Sequence, residues 1–151
     1  MPQSLANMIV HLVFSTRDRE TWFKDAEKMN SVHAYLGGVS ATLECPTIAI
    51  GGVADHVHIL ARMSRTISLG EWVKELKRAS TVWMQKEWPE FAAFHWQAGY
   101  AAFSVSQSNT DAVVEYVRQQ AEQHRAKTFQ EEFRALLKKH GVEWDERYVW
   151  D

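Results

Sequence analysis

An α+β fold is what this sequence predicts, arranged as a split β-α-β-β-α-β antiparallel sheet with helices on one face and further helices at the C-terminal end. Three observations carry the prediction. Apolar runs of strand length alternate with segments of helical period in that order. The two middle runs are joined by a short glycine-bearing connection. The chain has 151 residues, 46% of them hydrophobic and 24% charged, which is enough for one core but short of the length at which chains usually divide. One unit over residues 1–151 is therefore expected.

The elements follow in order. Met8 to Ser15 is a β-prone run before the charged Arg17-Asp18-Arg19-Glu20, and reads as a buried, central strand with Met8, Val10, Leu12 and Phe14 alternating against Ile9, His11, Val13 and Ser15. From Asp25 to about Leu43, Ala26, Met29, Val32, His33 and Leu36 recur at helical spacing, weakened in the second half by Gly37-Gly38. Thr47 to Ile50 and His56 to Met63 read as two strands of a hairpin turning at Gly51-Gly52, with His56, His58 and Leu60 on one face of the second. Leu69, Trp72, Val73, Leu76, Ser80, Trp83 and Met84 mark an amphipathic helix from Leu69 to about Trp88, ended near Pro89. Tyr100 to Val105 is a further strand. Ser108-x-x-Asp111 has the form of a capping box and opens a helix from about Thr110 to Arg125, and Phe129 to His140 is a last helix stopped by Gly141. The first six elements match the ferredoxin-like or RRM-like arrangement, a fold that hosts many functions and names none.

Only 7 Gly and 3 Pro exclude collagenous and low-complexity readings, and the formal net charge of -2 means that a nucleic-acid partner has to be argued from local clustering. Cys45 stands alone, which excludes an internal disulfide or a multi-cysteine zinc site and favours a reduced, cytoplasmic setting. The early apolar run is interrupted by His11, lacks a basic leader and is too short to span a bilayer, so no membrane association is expected.

Three features can carry chemistry. In His56-Val57-His58 a period of two places both imidazoles on one strand face, close enough to ligate one divalent cation; two half-buried histidines would give the same pattern. Asp55 beside them either orients a histidine or ends the turn. Tyr116 and Gln120 are one helical turn apart, with Gln119 an adjacent competitor and His124 a turn further on, whereas a core-edge tyrosine explains the periodicity equally well. Finally, Arg62 to Lys86 holds six basic residues against Glu71 and Glu75, while Glu143 to Asp151 is acidic. A phosphate-binding face and a solvated helix face both fit that asymmetry.

Taken in order, these segments resemble a known family. The matching pieces are His11-Leu12-Val13-Phe14-Ser15-Thr16-Arg17, Asp55-His56-Val57-His58-Ile59-Leu60, Ser68-Leu69 with Lys77 and Ser80, and Trp96-Gln97-Ala98-Gly99-Tyr100-Ala101-Ala102-Phe103-Ser104-Val105-Ser106. Tyr116 with Gln120, His124-Arg125 and Phe129-Gln130-Glu131-Glu132-Phe133 complete the series. Their order and spacing are similar to those of single-tyrosine HUH transposases of the insertion-sequence 200/605 type, including REP-associated relatives; HUH denotes His-hydrophobe-His. The resemblance departs in one place, where a histidine pair is replaced by Gln123-His124.

The resemblance implies that His56, His58 and Gln120 bind a divalent metal, Mg2+ or Mn2+, and that Tyr116 is the nucleophile. It implies cleavage and rejoining of single-stranded DNA at hairpin-marked ends through a 5′-phosphotyrosine, with no nucleotide cofactor because the ester conserves the bond energy. Arg17, Lys74, Lys77 and Arg78 are the expected phosphate contacts, and a homodimer is expected, with sites shared between chains modestly favoured. Two rivals stand beside this reading: a REP-associated enzyme that processes chromosomal hairpins, and a non-catalytic RRM-type binding module. The second would need solvent-facing aromatics on its central strands, where this sequence has His56 and His58.

Overall fold

The computed structural model describes residues 2–151. Strands β1 (Ile9–Ser15), β2 (Thr47–Val53), β3 (His56–Arg62) and β4 (Ala101–Val105) form one sheet in the order β2-β3-β1-β4, with every neighbouring pair antiparallel. The expected split β-α-β-β-α-β topology is present, with β1 inside the sheet. Register divides the two faces. Leu12 opposite Ile59 and Phe14 opposite Val57 point one way, while His11 opposite Leu60, Val13 opposite His58 and Ser15 opposite His56 point the other.

Helices α1 (Ala26–Thr42) and α2 (Leu69–Glu87) cover the first face. Asp25 caps α1 by accepting from Glu27 N at 2.8 Å, and Ser68 caps α2 by accepting from Glu71 N at 3.1 Å. Leu12, Phe14, Val57, Ile59, Val32, Leu36, Trp72 and Leu76 meet there as the main core. Each such large side chain contributes about 1.5–3 kcal/mol when fully buried, so this face alone supplies most of the hydrophobic stabilisation.

The second face is closed by α3 (Thr110–Arg118), α4 (Gln120–Gln123) and α5 (Phe129–Lys139). Val117 packs on Ile9, Ala49 and Leu60, while Phe129, Phe133 and Leu137 pack on Val13, Ala101 and Phe103. Helix α5 begins with a capping box, Thr128 with Glu131. It ends at Gly141, whose φ of 68° lets Gly141 N reach the Lys138 carbonyl at 3.2 Å and Val142 N the Leu137 carbonyl at 2.9 Å.

Three local expectations are corrected. The hairpin turns at Ala54-Asp55, and Gly51 and Gly52 lie inside β2. Their role is close approach: a Cβ on Gly51 would stand 2.0 Å from the Val117 carbonyl oxygen, and one on Gly52 2.3 Å from that of His56. The Ser108/Asp111 capping box does not form. A 3-10 turn over Gln107–Asn109 leads into α3 instead, and Thr110 Oγ1 donates to the Ser106 carbonyl at 3.2 Å. The helix expected to run from Thr110 to Arg125 breaks at Gln119 (φ -99°, ψ 28°), and this turn swings the Gln120 side chain inward.

Candidate active site

Five buried polar side chains, His11, His56, His58, Gln120 and Glu132, converge on the second sheet face. The alternation of β3 sends His56 and His58 to that face, and that of β1 sends His11 there. The Ala54-Asp55 turn is pinned by Thr16 N on the Asp55 carbonyl at 2.8 Å and by Phe23 N on the Ala54 carbonyl at 3.0 Å, which fixes the start of β3. Gly51 lets α3 lie close on β2, and Tyr116 extends from that helix so that its ring stands edge-on to His58 and His11, with centroids 5.7 and 6.1 Å away. Helix α5 contributes Glu132.

Glu132 is the hub. Its side chain is fully buried, and an isolated carboxylate there would cost several kcal/mol. Hydrogen bonds offset that cost. Oε1 accepts from His58 Nε2 at 3.1 Å and from His124 Nε2 at 2.9 Å, and lies 3.3 Å from His56 Nε2. Oε2 accepts from Gln120 Nε2 at 3.1 Å and from the Tyr116 hydroxyl. Burial opposes ionisation of Glu132, but the bonds from His124, His56 and His58 hold its carboxyl well below the usual carboxylate range.

The two strand histidines differ in what stands behind them. His56 Nδ1 donates to Asp55 Oδ1 at 2.7 Å and its Nε2 donates to Gln120 Oε1 at 3.0 Å. Burial works against its charge, yet Asp55 and Glu132 overcome that and raise His56 to about 9. His58 Nδ1 meets another imidazole, His11 Nε2, at 2.8 Å. Burial pushes His58 down to about 4 and His11 down to about 3, so both are neutral. For Tyr116, burial and then the Glu132 carboxylate raise the phenol well above the ordinary tyrosine range. The nucleophile-type residue is therefore held protonated in this arrangement.

Ligand atoms of His56, His58 and Glu132 all lie within 4.8 Å of one another. Two imidazole nitrogens and one carboxylate form a donor set that suits a divalent first-row cation or Mg2+, and the buried negative charge supplies the attraction. The residues present thus fit a metal. The Gln120 carboxamide oxygen stands beside them, so the carboxylate joins the glutamine that the sequence resemblance implied.

Of the residues singled out in the sequence, Tyr116, His56, His58 and Gln120 come together, all within one chain. In this single chain Tyr116 bonds the same Glu132 that touches its own chain's histidines. The expected phosphate contacts do not join them. Lys77 Nζ donates to the carbonyls of Gln97, Ala98 and Gly99 at 2.8, 3.3 and 2.7 Å, and burial lowers it to about 8, so it serves as a clamp on that loop. Lys74 and Arg78 are exposed on α2, which packs on the opposite sheet face, and Arg78 pairs with Glu75. Arg17 borders a separate cleft with His95, Trp96 and Trp150.

Glu132 and His11 lie beyond the sequence reading, although each leaves a signal. Phe129, Glu132, Phe133, Leu136 and Leu137 follow the i, i+3, i+4, i+7, i+8 stripe, so a carboxylate occupies the apolar face of α5. His11 interrupts an apolar strand on the face that carries Val13. Two clefts reach the cluster. One of about 620 Å3 is lined by Asp55, His124, Arg125, Lys127 and Phe129, and one of about 260 Å3 by His11, Asn109, Tyr116, Lys139 and His140.

Comparisons with known proteins agree with this fold. No curated protein is significantly similar to the chain. Among solved structures, it is similar to a putative transposase from Deinococcus radiodurans R1, with 21% identity and a TM-score of 0.61 over 78% of this chain and 95% of that one. It is also similar to a REP-associated tyrosine transposase bound to a REP hairpin, with 11% identity and a TM-score of 0.56 over 78% of this chain and 68% of that one. These likenesses show the fold. The sequence profile described as "Transposase IS200 like" matches residues 4–120, which takes in β1, the histidine strand, Tyr116 and Gln120, and the chain therefore belongs to the IS200-like transposase family.

Proposed function

We propose that this transposase cleaves and rejoins single-stranded DNA beside a hairpin, with Tyr116 as nucleophile and His56, His58, Glu132 and Gln120 as the side chains that hold a divalent cation. The observation that carries the reading is the meeting of a tyrosine hydroxyl, two strand imidazoles and a buried carboxylate at the junction of two clefts. A bound divalent cation would neutralise the charge on the scissile phosphate and polarise it.

The chain's own residues supply the remainder. Tyr116 Oη forms the new bond to phosphorus, the bond from phosphorus to the 3′ oxygen breaks, and the phenolic proton ends on that oxygen as a 3′ hydroxyl. Attack by a free 3′ hydroxyl on the phosphotyrosine reverses the exchange and rejoins strands, and no nucleotide is consumed. Glu132 fixes the position of the Tyr116 hydroxyl, while Gln120 Nε2 donates to Glu132 Oε2 and to the Tyr116 backbone carbonyl. Arg125 and Lys127 in the larger cleft, and Lys139 in the smaller, offer cations to the phosphates on either side of the break. The REP hairpin held by one structural neighbour supports a folded single strand as the substrate class.

The test is covalent capture. Purified protein incubated with Mn2+ and end-labelled single-stranded DNA carrying a hairpin from its own flanking sequence is expected to give a protein–DNA adduct stable to denaturant. Tyr116→Phe deletes one oxygen and little volume, so the adduct should vanish while hairpin binding persists. An adduct that survives in that variant overturns the assignment.

A further inference from the structure

A histidine that ligates a metal through Nε2 must carry its proton on Nδ1, and a partner accepting that proton sets the ring's orientation. Both strand histidines have a group at this position. For His56 it is the Asp55 carboxylate at 2.7 Å. For His58 it is His11 Nε2 at 2.8 Å, in a contact buried on both sides. Among the described residues no carboxylate is bonded to His58 Nδ1, and His11 reaches it diagonally across the β1–β3 ladder, where His11 is paired with Leu60 and His58 with Val13.

We infer that His11 is the positioning residue for His58: its Nε2 accepts the His58 Nδ1 proton and so turns the His58 Nε2 lone pair toward the cation. The inference rests on the metal site proposed above. Without a cation, His58 Nε2 donates to Glu132 Oε1, which leaves His58 Nδ1 to accept from His11 Nε2. With Nε2 given to a cation, the same hydrogen bond runs the other way, and His11 carries its single proton on Nδ1. No proton is gained or lost by the pair. His11 also stands edge-on to Tyr116 and lines the smaller cleft, so the ring that orients a ligand also packs against the nucleophile.

The geometry makes a discriminating demand. Gln places a carboxamide atom near the position of histidine Nε2, whereas Asn places one near Nδ1, so only Gln can restore the bond to His58. Mn2+ affinity is measured by calorimetry on the full chain for wild type, His11→Leu, His11→Gln and His11→Asn. Thermal unfolding in chelator establishes that each variant is folded, and hairpin binding in chelator that its DNA surface is intact.

Leu and Asn are expected to weaken Mn2+ binding on the order of 10- to 100-fold, with Gln recovering most of the loss. Wild-type affinity in a folded His11→Leu variant overturns the role of His11. If His11→Leu does not fold, the Gln and Asn variants decide, and equal affinity in those two overturns it as well. Absence of Mn2+ binding by the wild-type chain is a different failure, since it removes the metal site itself and the His11 role with it.

Discussion

At Nε2 of His56 a proton and a cation compete for one lone pair, because Nδ1 is already committed to Asp55 Oδ1 at 2.7 Å. With His56 held at about 9, that proton is in place at neutral pH and metal binding must expel it. Apparent Mn2+ affinity should therefore rise roughly tenfold per pH unit from about pH 7 to about pH 9 and level off above, with one proton released per ion. Calorimetry in buffers of different ionisation enthalpy reads both quantities, and a flat profile over that interval sinks the competition. Glu132 gives a second residue-scale prediction. Glu132→Gln keeps the side chain's shape but removes its charge, so Mn2+ affinity should fall by at least about tenfold, and further than in Gln120→Ala, where a neutral ligand is lost. The same measurement checks it, and the reverse ranking would assign the stronger role to the amide. The histidine pair and Tyr116 were legible because strand and helix periods set the face each occupies and the order of the surrounding segments resembles a family that gives them roles. Glu132 was not, because Glu131 beside it is an ordinary exposed capping residue, and a Glu-Glu pair in a first helical turn looks like an N-terminal charge preference.

Helix α3 reaches the sheet only because β2 has no side chain at Gly51. A methyl group there would overlap the Val117 carbonyl, one residue from Tyr116, and the helix would have to move outward. Gly51→Ala should destabilise by about 1–3 kcal/mol and reduce adduct formation on the order of 100-fold through misplacement of the nucleophile. Gly38 is the control. It lies inside α1 with open space where a Cβ would go, and Gly38→Ala should stabilise by about 0.5–1 kcal/mol and leave the adduct yield unchanged. Urea unfolding and adduct assays on the two variants separate these effects, and a Gly51→Ala chain with native yield would remove the close-approach argument. Element order and type could be read from periodicity throughout. Gly51-Gly52 and the break at Gln119 could not, since glycines that admit a neighbouring helix look the same in sequence as glycines that turn a hairpin. Likewise, Arg118-Gln119-Gln120 has nothing to stop a helix except the tertiary partners waiting for Gln120.

Across the molecule, one chain holds the complete set of groups proposed for cleavage, with Tyr116 bonded to its own Glu132. Mixing a His58→Ala chain with a Tyr116→Phe chain should therefore leave the adduct absent even after verified subunit exchange, because neither chain lends its intact half to the other. Recovery of cleavage on mixing would show exchange of α3 between subunits. What the basic residues bond to was beyond the reach of sequence at this scale. Lys77 looks like a phosphate contact in a list of cations, yet its ammonium is spent on three backbone carbonyls. Charge counting cannot see such a partner, because a carbonyl carries no formal charge.

The sheet and its first helical layer are complete by Val105, whereas Tyr116, Gln120 and Glu132 all come afterwards. During synthesis the ribosome therefore releases a histidine pair long before the carboxylate that joins it or the hydroxyl that would attack DNA. At about 5–20 residues per second, α5 follows β3 by several seconds. On the cleavage reaction proposed above, the nascent chain would lack a complete site throughout that interval, and scission would await translation past Glu132.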